Sequence, residues 1–143
     1  MLRSCPDFQT LSRRLCAPTI LVVDNEPEVR AVAEHVLSAA GYPVMTAPDG
    51  TRAFGMLEHH PEIALLFTDI VMPRIDGLML ADMAKLRHPG IKVLYTTAYR
   101  DEMNRQPGYR YGAVLAKPYR PAQLEAAVGH ALATPSLRVH PAA

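Results

Sequence analysis

Cysteine is scarce in this chain: Cys5 and Cys16 are the only two among 143 residues, and both precede the first strong apolar segment. They cannot frame a disulfide scaffold, and a zinc site would need further ligands close by. Charge of one sign is also missing. Lysine, arginine, aspartate and glutamate are intermixed and leave a net charge of +1, so no footprint for nucleic acid or for a membrane surface is present. Long apolar runs are absent as well. Arg13 and Arg14 precede an apolar stretch, but Pro18 and Thr19 interrupt it and Asp24 closes it without a small-residue cleavage site. This excludes a signal peptide and a membrane span, and makes the cytoplasm the expected location. His35, His59, His60, His88, His130 and His140 are scattered without metal-ligand spacing, and no internal repeat or low-complexity tract occurs.

What is present is apolar and ordered. Nearly half of the residues are hydrophobic, which at this length suits one compact domain and no second. From Thr19 onward, short apolar runs alternate with amphipathic stretches, the pattern of a parallel sheet with crossover helices. The runs at 20–23, 44–46, 63–67, 93–96 and 113–116 are expected to be strands. Val29, Val32, Ala33, Val36 and Leu37 recur at helical spacing, with Pro27 suited to the first turn and Gly41 to the stop. Ala53, Met56 and Leu57 mark a second helix entered through Asp49-Gly50. Leu78, Leu80, Ala81, Met83, Ala84 and Leu86 mark a third, ended by Pro89-Gly90. Leu124, Ala127, Val128, Ala131 and Leu132 mark the last. The polar segment 100–112, with Pro107 and Gly108, is expected to be short and mobile. The domain is placed at 18–133, with a loosely ordered extension at 1–17 and a tail at 134–143.

The most informative stretch is Leu65-Leu66-Phe67-Thr68-Asp69-Ile70-Val71-Met72-Pro73, followed closely by Asp76-Gly77. An apolar run that reads as a buried strand ends in a carboxylate. Buried carboxylates are costly unless paired or bound to a cation, and open α/β sheets bind ligands beyond the carboxyl ends of their strands. Asp24-Asn25-Glu26 ends the first run, Thr97 the fourth, and Lys117-Pro118 the fifth. Two acids, a hydroxyl and an ammonium on one rim suit phosphoryl chemistry with a hard cation. Asp24 and Asp69 would repel each other unless a metal such as Mg²⁺ neutralised them. Asp69 could then act as nucleophile, with Thr97 and Lys117 meeting the remaining charge. The plainer readings are a strand-ending Asp69 that caps the next turn, a Lys117 that only pairs with Asp24, and a Thr97 that is an ordinary strand hydroxyl. Asp76-Gly77 reads as turn and helix-start chemistry.

In order and spacing, Ile20-Leu21-Val22-Val23-Asp24, the Asp69 to Gly77 segment, Thr97-Ala98 and Lys117-Pro118 together resemble the response-regulator receiver domains of two-component signalling, over roughly Thr19 to Ala133. The resemblance implies a doubly wound α/β fold of the flavodoxin-like kind, with a five-stranded parallel sheet in the order 2-1-3-4-5 and helices on both faces. It implies Asp69 as phosphoacceptor, Thr97 and Lys117 as contacts to the phosphoryl group, and Mg²⁺ held by Asp24, Asp69 and the backbone carbonyl of Val71. The position of a second, metal-binding acid is occupied by Asn25, whose amide oxygen can coordinate but without charge, so weaker Mg²⁺ binding is expected. Three residues before the lysine, where receivers often carry Tyr or Phe, stands Val114. Tyr95, Tyr99, Tyr109, Tyr111 and Tyr119 crowd the neighbouring segment. Either they form a partner surface in which Tyr99 or Tyr111 replaces the usual switch residue, or several of them pack beside the sheet.

Val71 stands where aspartyl-phosphate phosphatases commonly carry a second Asp, which argues against an enzyme turning over external substrates. No Gly-rich or Ser/Thr-rich phosphate loop follows the first strand, which argues against a nucleotide or flavin binder. The expected partner is a sensor histidine kinase or a histidine phosphotransfer domain. With no DNA-binding or enzymatic domain in view, the expected output is a protein contact or drainage of phosphate from a relay. The rival reading is a receiver-like interaction module that works without phosphorylation, with Asn25 as its sign.

Overall fold

The computed structural model describes residues 17–98 and 111–134. Five strands, β1 (Thr19–Val23), β2 (Val44–Ala47), β3 (Ile63–Asp69), β4 (Lys92–Thr97) and β5 (Val114–Ala116), form one sheet in the order β2-β1-β3-β4-β5. All its pairings are parallel. Helices α1 (Pro27–Ala39), α2 (Gly50–His59), α3 (Gly77–Arg87) and α4 (Pro121–Ala133) cover both faces. The expected α/β fold and strand order are therefore present. The central strands are apolar throughout because both of their faces are covered: Ile20 and Val22 pack toward α1 and α4, while Leu21 and Val23 pack toward α2 and α3.

Local chemistry sets the helix ends. Pro27 occupies the first turn of α1, and Gly41, at φ 102°, takes the left-handed turn that stops it. Asp49 and Asp76 cap α2 and α3, accepting from the Arg52 and Met79 amides at 2.8 Å.

Helix α3 departs from the simple amphipathic pattern. Leu80, Ala81 and Ala84 are buried as expected, but Leu78 and Met83 are only half-buried and Leu86 is 81% exposed. Its apolar residues lie on all sides, so their spacing alone did not separate the inner face from the outer one. Val32 of α1 is likewise exposed. Tyr95 lies in the core, and Tyr119 packs edge-on against Phe67 on the opposite side of the sheet from Tyr95 and Tyr111. The tyrosines therefore do not share one face. Tyr99, Tyr109 and most of segment 100–112 lie outside the described residues, as do Cys5 and Cys16. Among the described residues, no helix is long and apolar enough to cross a membrane.

Candidate functional site

Sheet register alone assembles the site. Val23 pairs with Thr68, so Asp24 and Asp69 emerge side by side. Asp69 pairs with Thr96, which sets Thr97 one residue beyond it, and Thr97 pairs with Ala116, the residue before Lys117. Four groups far apart in sequence thus reach one rim.

Asp24 and Asp69 are 3% and 6% exposed. The Lys117 Nζ donates to Asp69 Oδ2 at 3.0 Å and lies 2.9 Å from Asp24 Oδ2, with Glu26 Oε1 at 3.5 Å. One ammonium therefore bridges two buried carboxylates. The other oxygens are also engaged, Asp24 Oδ1 accepting from the Glu26 amide at 2.9 Å and Asp69 Oδ1 from the Val71 amide at 3.3 Å. Thr97 is fully buried, and its carbonyl accepts from the Lys117 amide at 2.9 Å. Asn25 is exposed in the turn after β1, and Val71 is 44% exposed beside Asp69.

The charges perturb one another. Burial pushes the Asp69 carboxyl above its usual range; the hydrogen bond and charge of Lys117 work against this, and the Asp24 charge adds to it. Burial also works to depress Lys117, but its hydrogen bonds to Asp24 and Asp69, with their negative charges, hold it above the usual lysine value. Burial, reinforced by Asp24, pushes the Tyr119 hydroxyl up to about 12.

Two further features had no signal in the sequence. The Arg30 guanidinium, one turn into α1, donates to the Asp24 carbonyl at 2.7 Å and fixes the end of β1. Gly77 packs so closely that an added Cβ would overlap the Asp69 carbonyl oxygen, while its amide donates to the Ile70 carbonyl at 2.8 Å. Asp76-Gly77 is thus turn and helix-start chemistry, as its spacing implies, and it also seats α3 against Asp69.

Two carboxylates facing a single ammonium leave an excess of negative charge in a buried place. Paired carboxylate oxygens are the kind of donor that hard divalent cations such as Mg²⁺ take. Among the described residues, no three His, Cys, Asp or Glu side chains converge to make a metal site. Any cation here would depend on neutral oxygens and water as well.

The family model described as "Response regulator receiver domain" matches residues 20–129. Among curated proteins, the chain is 36% identical over 112 residues to a probable transcriptional regulator ycf27 of Galdieria sulphuraria, covering 76% of this chain and 43% of that protein. It is 36% identical over 120 residues to the response regulator Rre1 of Synechocystis sp., covering 80% and 52%. The chain spans about half the length of these relatives. Among solved structures, the receiver domain of the hybrid histidine kinase CckA matches with a TM-score of 0.70 and 32% identity, covering 80% of this chain and 98% of that one. The Vibrio cholerae chemotaxis protein CheY4 matches with a TM-score of 0.73 and 25% identity, covering 81% and 99%.

Proposed function

Since this chain belongs to the response regulator receiver domain family, we propose that Asp69 accepts a phosphoryl group from a phosphohistidine on a sensor kinase or histidine phosphotransfer domain, in the cytoplasm. The observation that carries this reading is the ammonium of Lys117 held 3.0 Å from Asp69 and 2.9 Å from Asp24 at the carboxyl edge of the sheet. Receiver domains are signalling domains, and the phosphoacceptor role is general to them.

A carboxylate oxygen of Asp69 forms the new bond to phosphorus as the bond from phosphorus to the histidine nitrogen breaks, and the imidazole keeps the electron pair. Hydrogen bonds to both of its oxygens hold the Asp69 carboxylate in place, so little reorientation precedes attack. As charge gathers on the phosphoryl oxygens, Lys117 meets it from its bridging position and Thr97 donates from the end of β4. Bound Mg²⁺ would supply the charge that two carboxylates and a phosphoryl group need to share this pocket, and Asp24, Asn25, Asp69 and the Val71 carbonyl would hold it. Loss of the acyl phosphate occurs by hydrolysis. Output is a contact with another protein or drainage of phosphate from a relay. The relatives named as transcriptional regulators are about twice as long as this chain, and any nucleic-acid output belongs to the whole proteins.

Asn25, in the position of a second acid, favours one other reading, a receiver-like module that binds its partner without phosphorylation. Incubation with Mg²⁺ and acetyl phosphate separates the two. Intact mass should show one added phosphoryl group on wild type and none on Asp69→Ala, and an unchanged wild-type mass would favour the module.

A further inference from the structure

Beside Lys117, a cavity of about 600 Å³ opens between the first turns of α1 and the turn that enters α4. Val29, Val32, Pro118 and the ring of Tyr119 give it apolar walls, and Val32 is 54% exposed. The Tyr119 ring is braced edge-on by Phe67, two residues before Asp69, so the wall nearest the site is held in place. The charge around these walls is of one sign. Glu26 and Glu28 line the cavity and are exposed, and Glu34 is exposed further along α1. Glu26 has the Lys117 ammonium 3.5 Å away, but Glu28 and Glu34 have no cationic partner among the described residues. Arg30, the one arginine of this helix, is turned to the Asp24 carbonyl. An apolar groove with an acidic rim fits a segment that is both apolar and basic.

The chain carries such a segment ahead of its first strand. Residues 1–16, which lie outside the described residues, hold Arg3, Arg13 and Arg14 against a single acid, Asp7, and include Leu2, Phe8, Leu11 and Leu15. They lead into β1 at Thr19, the end of that strand opposite Asp24. Five strand residues rise about 17 Å, whereas Phe8, nine residues before Ala17, can reach about 30 Å. The segment is therefore long enough to return over α1 to the cavity. Tethering favours it over a free peptide. A groove of this size buries one or two side chains and holds a free peptide weakly, but an attached segment meets it at an effective concentration in the millimolar range.

We propose that residues 1–16 dock across this cavity, with Phe8 and Leu11 on Val29 and Val32 and with Arg13 and Arg14 toward Glu28 and Glu34, and that the docked segment restricts access to Lys117 and Asp69. The control of access rests on Asp69 being the phosphoacceptor, and the docking does not. So small a contact exchanges readily, and the segment slows phosphoryl uptake without abolishing it. A partner that uses the same groove has to displace it.

A nitroxide on Cys5 of the full chain, carrying Cys16→Ser, tests the docking by paramagnetic relaxation in NMR without any phosphoryl donor. Amides at 28–32 and 119–120 should broaden several-fold more than those at 51–59 in α2, on the opposite face of the sheet. Phe8→Asp with Leu11→Asp, or Val32→Asp on the groove side, should remove that difference. Arg13→Glu with Arg14→Glu should weaken it, and adding Glu28→Lys with Glu34→Lys should restore it. Equal broadening on both faces would overturn the docking. Broadening that persists when spin-labelled chains are mixed with separate isotope-labelled ones would overturn it in favour of a second copy in the groove. Uptake from acetyl phosphate with Mg²⁺, followed by intact mass, tests the control of access: Phe8→Asp with Leu11→Asp should speed it roughly threefold. An unchanged rate would overturn that control. Absence of uptake in every variant would overturn the phosphoacceptor reading and the control with it, while the broadening still decides the docking.

Discussion

Replacing Lys117 with methionine keeps most of the side-chain volume and removes one charge, which isolates what the ammonium does. It is only 11% exposed and lies 2.9 and 3.0 Å from two carboxylates that are more deeply buried than itself. At an effective dielectric constant of 20, each contact is worth about 5 kcal/mol of gross Coulomb attraction, most of it offset by the cost of taking the charges out of water. Lys117→Met removes the attraction but leaves both carboxylates buried and repelling each other. Breaking a buried pair from one side costs about 3–5 kcal/mol, and the methionine recovers some of this by burying its own apolar surface. The expected net loss is about 3 kcal/mol in urea unfolding at pH 7 with EDTA. The gap should narrow in Mg²⁺, because a cation that binds only the folded state adds about 2.7 kcal/mol at a hundredfold excess over its Kd, and the variant has more uncompensated charge for it to neutralise. Adding Asp24→Asn should shrink the cost of Lys117→Met, since the two changes share one interaction. A variant within about 0.5 kcal/mol of wild type in EDTA, or a gap that Mg²⁺ leaves unchanged, would refute the view that one ammonium balances both acids.

Gly77→Ala should destabilise the fold by about 2 kcal/mol, because α3 must lift off the Asp69 backbone, and it should also slow phosphoryl uptake, measured by intact mass. Burial raises the Asp69 pKa, so Asp69 opposes folding as pH rises from the ordinary aspartate range through its own raised value. In metal-free buffer Asp69→Asn should therefore unfold at a higher temperature than wild type at pH 7, with the difference shrinking in acid below the ordinary aspartate value; equal midpoints at pH 7 would contradict this. Asn25→Asp should bind Mg²⁺ more tightly in a direct titration, and equal affinities would count against a weakened site. Val71 is exposed beside Asp69, and its bulk is expected to impede the approach of water, as is that of Tyr99, which lies outside the described residues. Val71→Ala and Tyr99→Ala should each speed loss of the acyl phosphate, followed by the decay of phosphoprotein mass, and unchanged decay would remove that role.

The sheet was legible because a parallel strand covered on both faces has to be apolar from end to end. Ile20 to Val23 and Ile63 to Phe67 have no other plausible use in a chain of this size. The rim was legible for the same reason in reverse: Asp24, Asp69 and Lys117 interrupt apolar runs at their carboxyl ends, where burial would be costly without a purpose. Orientation around α3 was not legible. Met79 and Leu86 face outward while Lys85 is buried, because Lys85 finds carbonyl acceptors beyond the helix end that no local pattern encodes. The placement of the tyrosines was not legible either. Their closeness in sequence left a shared surface and packing beside the sheet equally open, and for the described ones packing holds: alternation along β4 turns Tyr95 into the core, and the sheet separates Tyr119 from Tyr111. The positive φ of Tyr111 accompanies contacts with Asp82 and Lys85, neither of them near it in sequence.

Charge at the rim explains how Asn25 fits the rest of the molecule. Asp24 and Asp69 against Lys117 leave the site with one excess negative charge, whereas an aspartate at position 25 would add a second at its exposed edge. The extra charge would attract Mg²⁺ more strongly but would add repulsion to an Asp69 that burial already pushes toward its protonated form. With asparagine, the metal-free site is less strained and Lys117 alone can nearly balance it. The cost falls on the metal-dependent step, so phosphoryl uptake should follow Mg²⁺ concentration over a range where a receiver with both acids is already saturated. Asn25→Asp should shift that dependence to lower Mg²⁺ while lowering stability in EDTA. The two effects have the same origin, so a variant showing one without the other would break the link between the charge of the site and its appetite for metal.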